Sequence, residues 1–188
     1  YTDAANRRVG VVDIADPTRP RQVAAIPVNG EPTSVAVSGN GTQAYVAVQT
    51  QKREEGESPV RTPGELVVIN IAARAQVGEP VQIGFGPDSV ATTRVNGRDV
   101  AVVAIENEPL VTTDGTEAGE VTDEELPGDP NDISGPGLVQ VVDFATGGPK
   151  VIDIDIAGRK DLPAGLLHKN DPQPEFVAIR GTKAAVTL

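Results

Sequence analysis

The chain has 188 residues, enough for one domain with a real core or for part of a larger one. Its 27 Asp and Glu outweigh 16 Lys and Arg, and the net charge of −11 repels phosphate backbones and anionic membrane surfaces, which argues against nucleic acid as a partner. With no Cys and a single His, disulfides, thiol nucleophiles and multi-His metal sites cannot be built, and 3% aromatics leaves no base-stacking platform.

No Met occurs, so Tyr1 is expected to lie inside a longer protein, with any signal peptide ahead of it. The longest apolar runs, such as residues 100–105, are strand-sized and fall well short of the roughly 18 residues of a membrane helix, so no membrane insertion is expected in this segment.

The chain opens with a two-strand unit, "RRVGVVDIADPTRPRQVAAIPV", expected to form a half blade over residues 1–29. Asp13 ends its first strand just ahead of Asp16-Pro17, where a carboxylate hydrogen-bonds the turn backbone. Next comes "PTSVAVSGNGTQAYVAV", two β-rich runs around Asn40-Gly41, a hairpin signal because Asn-Gly tolerates positive φ. Together with "GELVVINIAARAQVGEPVQI", it makes a four-stranded unit over 30–84 with an insertion at 49–64. The plan repeats over 85–156: "PDSVATTRVNGRDVAVVAI" turns at Asn96-Gly97, an acidic insertion covers 106–136, and "GLVQVVDFATGGPKVIDIDI" closes the unit. Asp143 repeats the position of Asp13. Residues 157–171 read as a linker carrying His168, for which a surface or packing role is expected. A last hairpin, "PQPEFVAIRGTKAAVTL", fills 172–188, with Pro174 where Pro32 and Pro87 stand and Gly181 at the turn.

Four short strands per repeat, with no amphipathic helix of useful length, are the pattern of propeller blades. The fold expected is all-β: a β-propeller of four-stranded antiparallel blades, present as an incomplete ring of two whole blades and two half blades. Closing the first pair onto the last would give a ring of three, below the roughly four to eight blades of propellers, so the remaining blades of the same protein, or a partner supplying them, are expected.

"PTSVAVSGNGTQAYVAV" resembles the bacterial Tyr-Val-Thr-Asn β-propeller repeats, and "AIENE", "PAGLL" and "DPQPEFVAI" resemble the secreted choice-of-anchor I proteins. That group is similar to sequences labelled alkaline-phosphatase-like or phytase-esterase-like and to mesenchyme-specific cell-surface glycoproteins. The resemblance spans most of the chain, residues 49–64 and 109–136 matching only as variable insertions. It implies a secreted, periplasmic or cell-surface location, and it raises a metal-dependent phosphoesterase as an alternative function.

Both insertions join second to third strands, so antiparallel reversal should bring them to one rim. Loops of such length are uncommon unless they bind something or are disordered. Residues 106–136 hold ten carboxylates and no Lys or Arg. Such a loop is either extended in water or gathered around a cation such as Ca²⁺, although no Asp-x-Asp-x-Asp-Gly loop with a closing Glu occurs. The position after each repeated proline is Thr33, Asp88 and Glu175. Asp88, Glu106, Glu108 and Glu175 therefore form the sharpest candidate cluster, able to hold a divalent cation, Ca²⁺ being the cofactor considered, or to bind a basic partner; otherwise these side chains cap turns. No organic cofactor is indicated.

No Gly-x-Ser-x-Gly elbow and no phosphate-cradling Gly-rich loop is present, and nothing places a nucleophile near His168. Catalysis would have to use carboxylate-held metal, and a phosphate substrate would find few basic residues near that rim, chiefly Lys52, Arg53 and Arg61. The reading favoured is a binding or structural module for an unknown protein or surface ligand, with no catalytic residue assigned.

Overall fold

The computed structural model describes residues 1–52, 60–107, 137–157, 159 and 172–188. Apart from one 3₁₀ turn at Ala4–Asn6, the regular structure of these residues is antiparallel β-strand.

Four sheets follow one another along the chain. The first orders β1 (Thr2–Asp3), β2 (Arg8–Asp13) and β3 (Arg21–Pro27). The second runs from β4 (Glu31–Val37) through β5 (Gln43–Lys52) to β6 (Val60–Asn70), whose outer edge takes two short strands, β7 (Ala75–Gln76) and β8 (Val81–Gln82). The third is a four-stranded meander of β9 (Pro87–Val95), β10 (Arg98–Ile105), β11 (Leu138–Ala145) and β12 (Gly148–Asp155). The fourth is the hairpin β13 (Val177–Arg180) and β14 (Lys183–Val186).

The turns follow from their residues. Asn96 and Gly97 have φ of 51° and 80°, the pair of positive angles that a two-residue hairpin with right-handed strand twist demands. At the preceding hairpin Asn40 Oδ1 accepts from the Thr42 N–H at 3.0 Å and from the Ser38 and Thr42 hydroxyls at 2.7 Å each.

Period-two alternation decides which sheet meets which. Val46, Val48, Val67 and Ile69 pack with Val9 and Ile26 of the first sheet. Their neighbours Tyr45, Ala47, Leu66 and Val68 point the other way, against Ala101, Val103, Ile105 and Val142 of the third. Val102, Ala104 and Val139 then meet Val177 of the fourth. Each central sheet is thus apolar on both faces, and burial of a Val or Leu side chain contributes roughly 1.5–3 kcal/mol. Four sheets stacked face to face in chain order form a propeller-like row of blades, and no closed ring is formed by these residues.

Two elements differ from the sequence expectation. The insertion at 49–64 begins as strand, since β5 and β6 stay paired out to Gln51↔Arg61 and Lys52↔Val60 beyond a register shift near Thr50. Thr50 and Thr62 explain this, being β-branched residues whose hydroxyl oxygens lie 2.6 Å apart across the pair. The fourth strand of the second sheet is split into β7 and β8 by Gly78-Glu79-Pro80, where Gly78 has φ 67° and the proline lacks a ladder N–H.

Candidate functional site

The repeated Pro-x-Ser-Val at residues 32–35 and 87–90 builds the same device twice. Pro32 pairs with Val48 and Ser34 with Ala47, so Thr33 is the extra residue of a β-bulge. Pro87 pairs with Ile105 and Ser89 with Ala104, which leaves Asp88 as the corresponding bulge residue. Bulges re-aim a side chain and recur next to binding sites.

Each device links its sheet to the next. The Thr33 hydroxyl donates to the Pro87 carbonyl at 2.8 Å, and Ser34 Oγ accepts from the Val90 N–H at 3.1 Å. Ser89 Oγ accepts from the Val177 N–H at 3.2 Å. Glycines close the same seams. A Cβ at Gly64 would come 2.8 Å from the Pro87 ring and 2.9 Å from the Gly84 carbonyl. One at Gly137 would come 2.5 Å from Pro174 Cδ and 2.5 Å from the Pro172 carbonyl. These serine and glycine contacts escaped the reading of single strands, although the Pro-x-Ser-Val repeat was their visible signal.

The structure places three of the four candidate carboxylates at this end of the sheets, and Glu108 lies outside the described residues. Asp88 is half-buried in its bulge. Burial pushes its carboxyl above the ordinary carboxylate value, and the negative charge of Glu175 adds to the shift, which brings these two groups into one electrostatic neighbourhood. Glu175 is exposed, with its backbone N–H donating to the Thr187 carbonyl at 3.3 Å. Glu106 follows β10, and its N–H donates to the Gly86 carbonyl at 3.0 Å. Among the described residues no group of three or more His, Asp or Glu side chains is placed to hold a metal ion.

Other expectations resolve separately. Asp13 Oδ1 accepts from the Ala15 N–H at 3.0 Å, the turn role read from sequence. Asp143 does something different: its two oxygens take Nε and Nη2 of Arg98, each at 3.0 Å, because antiparallel pairing brings the start of β10 beside it. His168 and most of the acidic insertion, residues 108–136, lie outside the described residues. No helix among the described residues is long and apolar enough to cross a membrane.

The sequence profile of the choice-of-anchor I domain matches residues 1–188. The chain belongs to the choice-of-anchor I domain family. The family is one of surface-associated or secreted proteins. Among solved structures, hydrazine synthase of Kuenenia stuttgartiensis is similar at 16% identity, over 98% of this chain and 56% of that one, with a TM-score of 0.41. The chain therefore spans little more than half the length of that protein. No curated protein matches.

Proposed function

We propose that this choice-of-anchor I domain is a binding module of a secreted or cell-surface protein, and that its ligand at the acidic end of the blades is a calcium ion. Asp88 and Glu175 supply the first oxygens, and Glu106 and Glu108, the other two candidates, are to close on the ion as it binds. The observation that carries the reading is the Asp88 bulge: where the preceding blade has a neutral hydroxyl, this one half-buries a carboxyl against the charge of Glu175. A half-buried carboxylate beside a second negative charge is an unfavourable arrangement alone, and a hard divalent cation with several oxygen ligands relieves it.

Thermal melting of the 188-residue chain with and without calcium tests this. The wild type should gain several degrees, and the double variant Asp88→Asn, Glu175→Gln should gain little. An equal calcium shift in both, or none in the wild type, would overturn the site. The alternative of a metal-dependent phosphoesterase shares the cluster but also requires positive charge for a phosphate. Calcium-dependent turnover of a phosphomonoester, lost in Glu106→Gln, would move the conclusion to the enzyme.

A further inference from the structure

Two Asn-Gly pairs stand at hairpin tips, Asn40-Gly41 between β4 and β5 and Asn96-Gly97 between β9 and β10, and all four residues are exposed. The chemistry open to them is the same. A backbone nitrogen that follows asparagine can attack the side-chain amide carbon, and glycine, with no Cβ, leaves that approach unhindered. What separates the two tips is how firmly the reacting atoms are held.

At the first tip they are engaged on both sides. Asn40 Oδ1 accepts from the Thr42 N–H and from the hydroxyls of Ser38 and Thr42, and the Gly41 N–H donates to the Ser38 carbonyl at 2.8 Å. Attack requires the Asn40 side chain to turn its amide carbon toward the Gly41 nitrogen, and these bonds must break for that to happen.

The second tip has no such restraint. Among the described residues no hydrogen bond holds the Asn96 side chain or the Gly97 N–H, and the turn is closed by the Val95–Arg98 pairing behind it. Arg94 Nη2 donates to the Gly97 carbonyl, which fixes a cation beside the tip, where negative charge develops on the amide oxygen during attack.

We infer that Asn96 is a modification site at which the folded chain deamidates spontaneously, while Asn40 is spared. The Gly97 nitrogen bonds to Asn96 Cγ, the Cγ–Nδ2 bond breaks, and the amide nitrogen leaves as ammonia with the proton that Gly97 gives up. Solvent water then opens the cyclic imide at either carbonyl, giving aspartate or isoaspartate. Both products add a negative charge at a position flanked by Arg94 and Arg98. Aspartate tolerates the left-handed φ of 51° and keeps the turn. Isoaspartate adds a carbon to the main chain of a two-residue turn and undoes the Val95–Arg98 pairing. The tip lies at the opposite end of β9 from Asp88, so this site is independent of the calcium reading.

Peptide mapping by mass spectrometry tests the inference on the full chain held folded in mildly alkaline buffer, with a second sample unfolded in urea. In the folded sample the amide-to-acid mass change should accumulate at Asn96 roughly tenfold or more faster than at Asn40, the equivalent of two or so net hydrogen bonds. In urea the two rates should converge, since both residues precede glycine. Thr42→Ala removes one of the bonds to Asn40 and should raise the Asn40 rate in the folded chain roughly threefold. Equal rates in the folded chain, a faster Asn40, or no change at Asn96 while it reacts in urea would each overturn the inference. So would a tenfold difference that persists in urea, because neighbouring sequence and not the fold would then set it.

Discussion

Asp88 and Thr33 occupy one position in two consecutive blades, and their chemistry sets opposite demands on pH. The Thr33 hydroxyl donates to a carbonyl of the next sheet at every pH. Asp88 has its pKa raised in the folded chain, so folding favours its neutral form. Its cost is absent while it is protonated, below an ordinary carboxylate pKa near ~4, and it grows as the pH rises through the higher folded value. In the absence of calcium, Asp88→Asn should therefore leave stability unchanged at acid pH and raise it at neutral pH. The gain should be less than about 1 kcal/mol, since solvent screens a half-exposed group. Urea unfolding at the two pH values measures this, and a neutral-pH loss would contradict the assignment.

A second polar cluster is structural. The Tyr45 hydroxyl lies 2.8 Å from Gln43 Oε1 and 3.0 Å from Asp99 Oδ2, its single hydrogen shared between them, and burial together with Asp99 pushes the phenol pKa up. Arg94 Nε stands 3.3 Å from Asp99 Oδ1 without aiming a hydrogen bond at it. The Tyr45 ring packs 4.8 Å from that of Phe144. Tyr45→Phe keeps the ring contact and removes the hydroxyl, and it should cost about 1–2 kcal/mol in chemical denaturation.

At the scale of elements, much of the architecture was legible because it is local. Asn40-Gly41 and Asn96-Gly97 announced two hairpins through backbone chemistry alone, and the Val-rich alternation of residues 44–48 and 100–105 announced strands with two apolar faces. The bulges at Thr33 and Asp88 were not legible, since a bulge is a relation between two strands and depends on the register of the partner. Gly64 and Gly137 were silent for the same reason: what forbids a side chain there is a proline at, or just ahead of, the first strand of the following sheet. Gly64→Val should therefore destabilise the chain by about 1–3 kcal/mol through overpacking against Pro87, as read by thermal unfolding. Asp88 and Glu175 were legible as the positions after repeated prolines, and the effect of the Glu175 charge on Asp88 is visible only once adjacent sheets are stacked. Asp143 shows the opposite failure: a turn role was read locally, and its partner is Arg98, 45 residues away in sequence.

At the scale of the whole molecule, sheets stacked in chain order make each seam depend on its two neighbours, and they gather the starts of the first strands at one end. The net charge of −11 acts against this compact arrangement. Salt screens such repulsion over roughly 10 Å at 0.1 M. The melting temperature of the calcium-free chain should rise with sodium chloride, and a fall would mean that ion pairs such as Arg98–Asp143 outweigh the general repulsion.

The claim on which the functional reading rests is that Asp88 and Glu175, from adjacent blades, share one cation. Carboxyl-carbon NMR during a calcium titration addresses it directly. Both signals should move together at the same calcium concentration, while Asp13 in its turn stays still. Stationary Asp88 and Glu175 signals, or shifts spread evenly over the carboxylates of the surface, would contradict it.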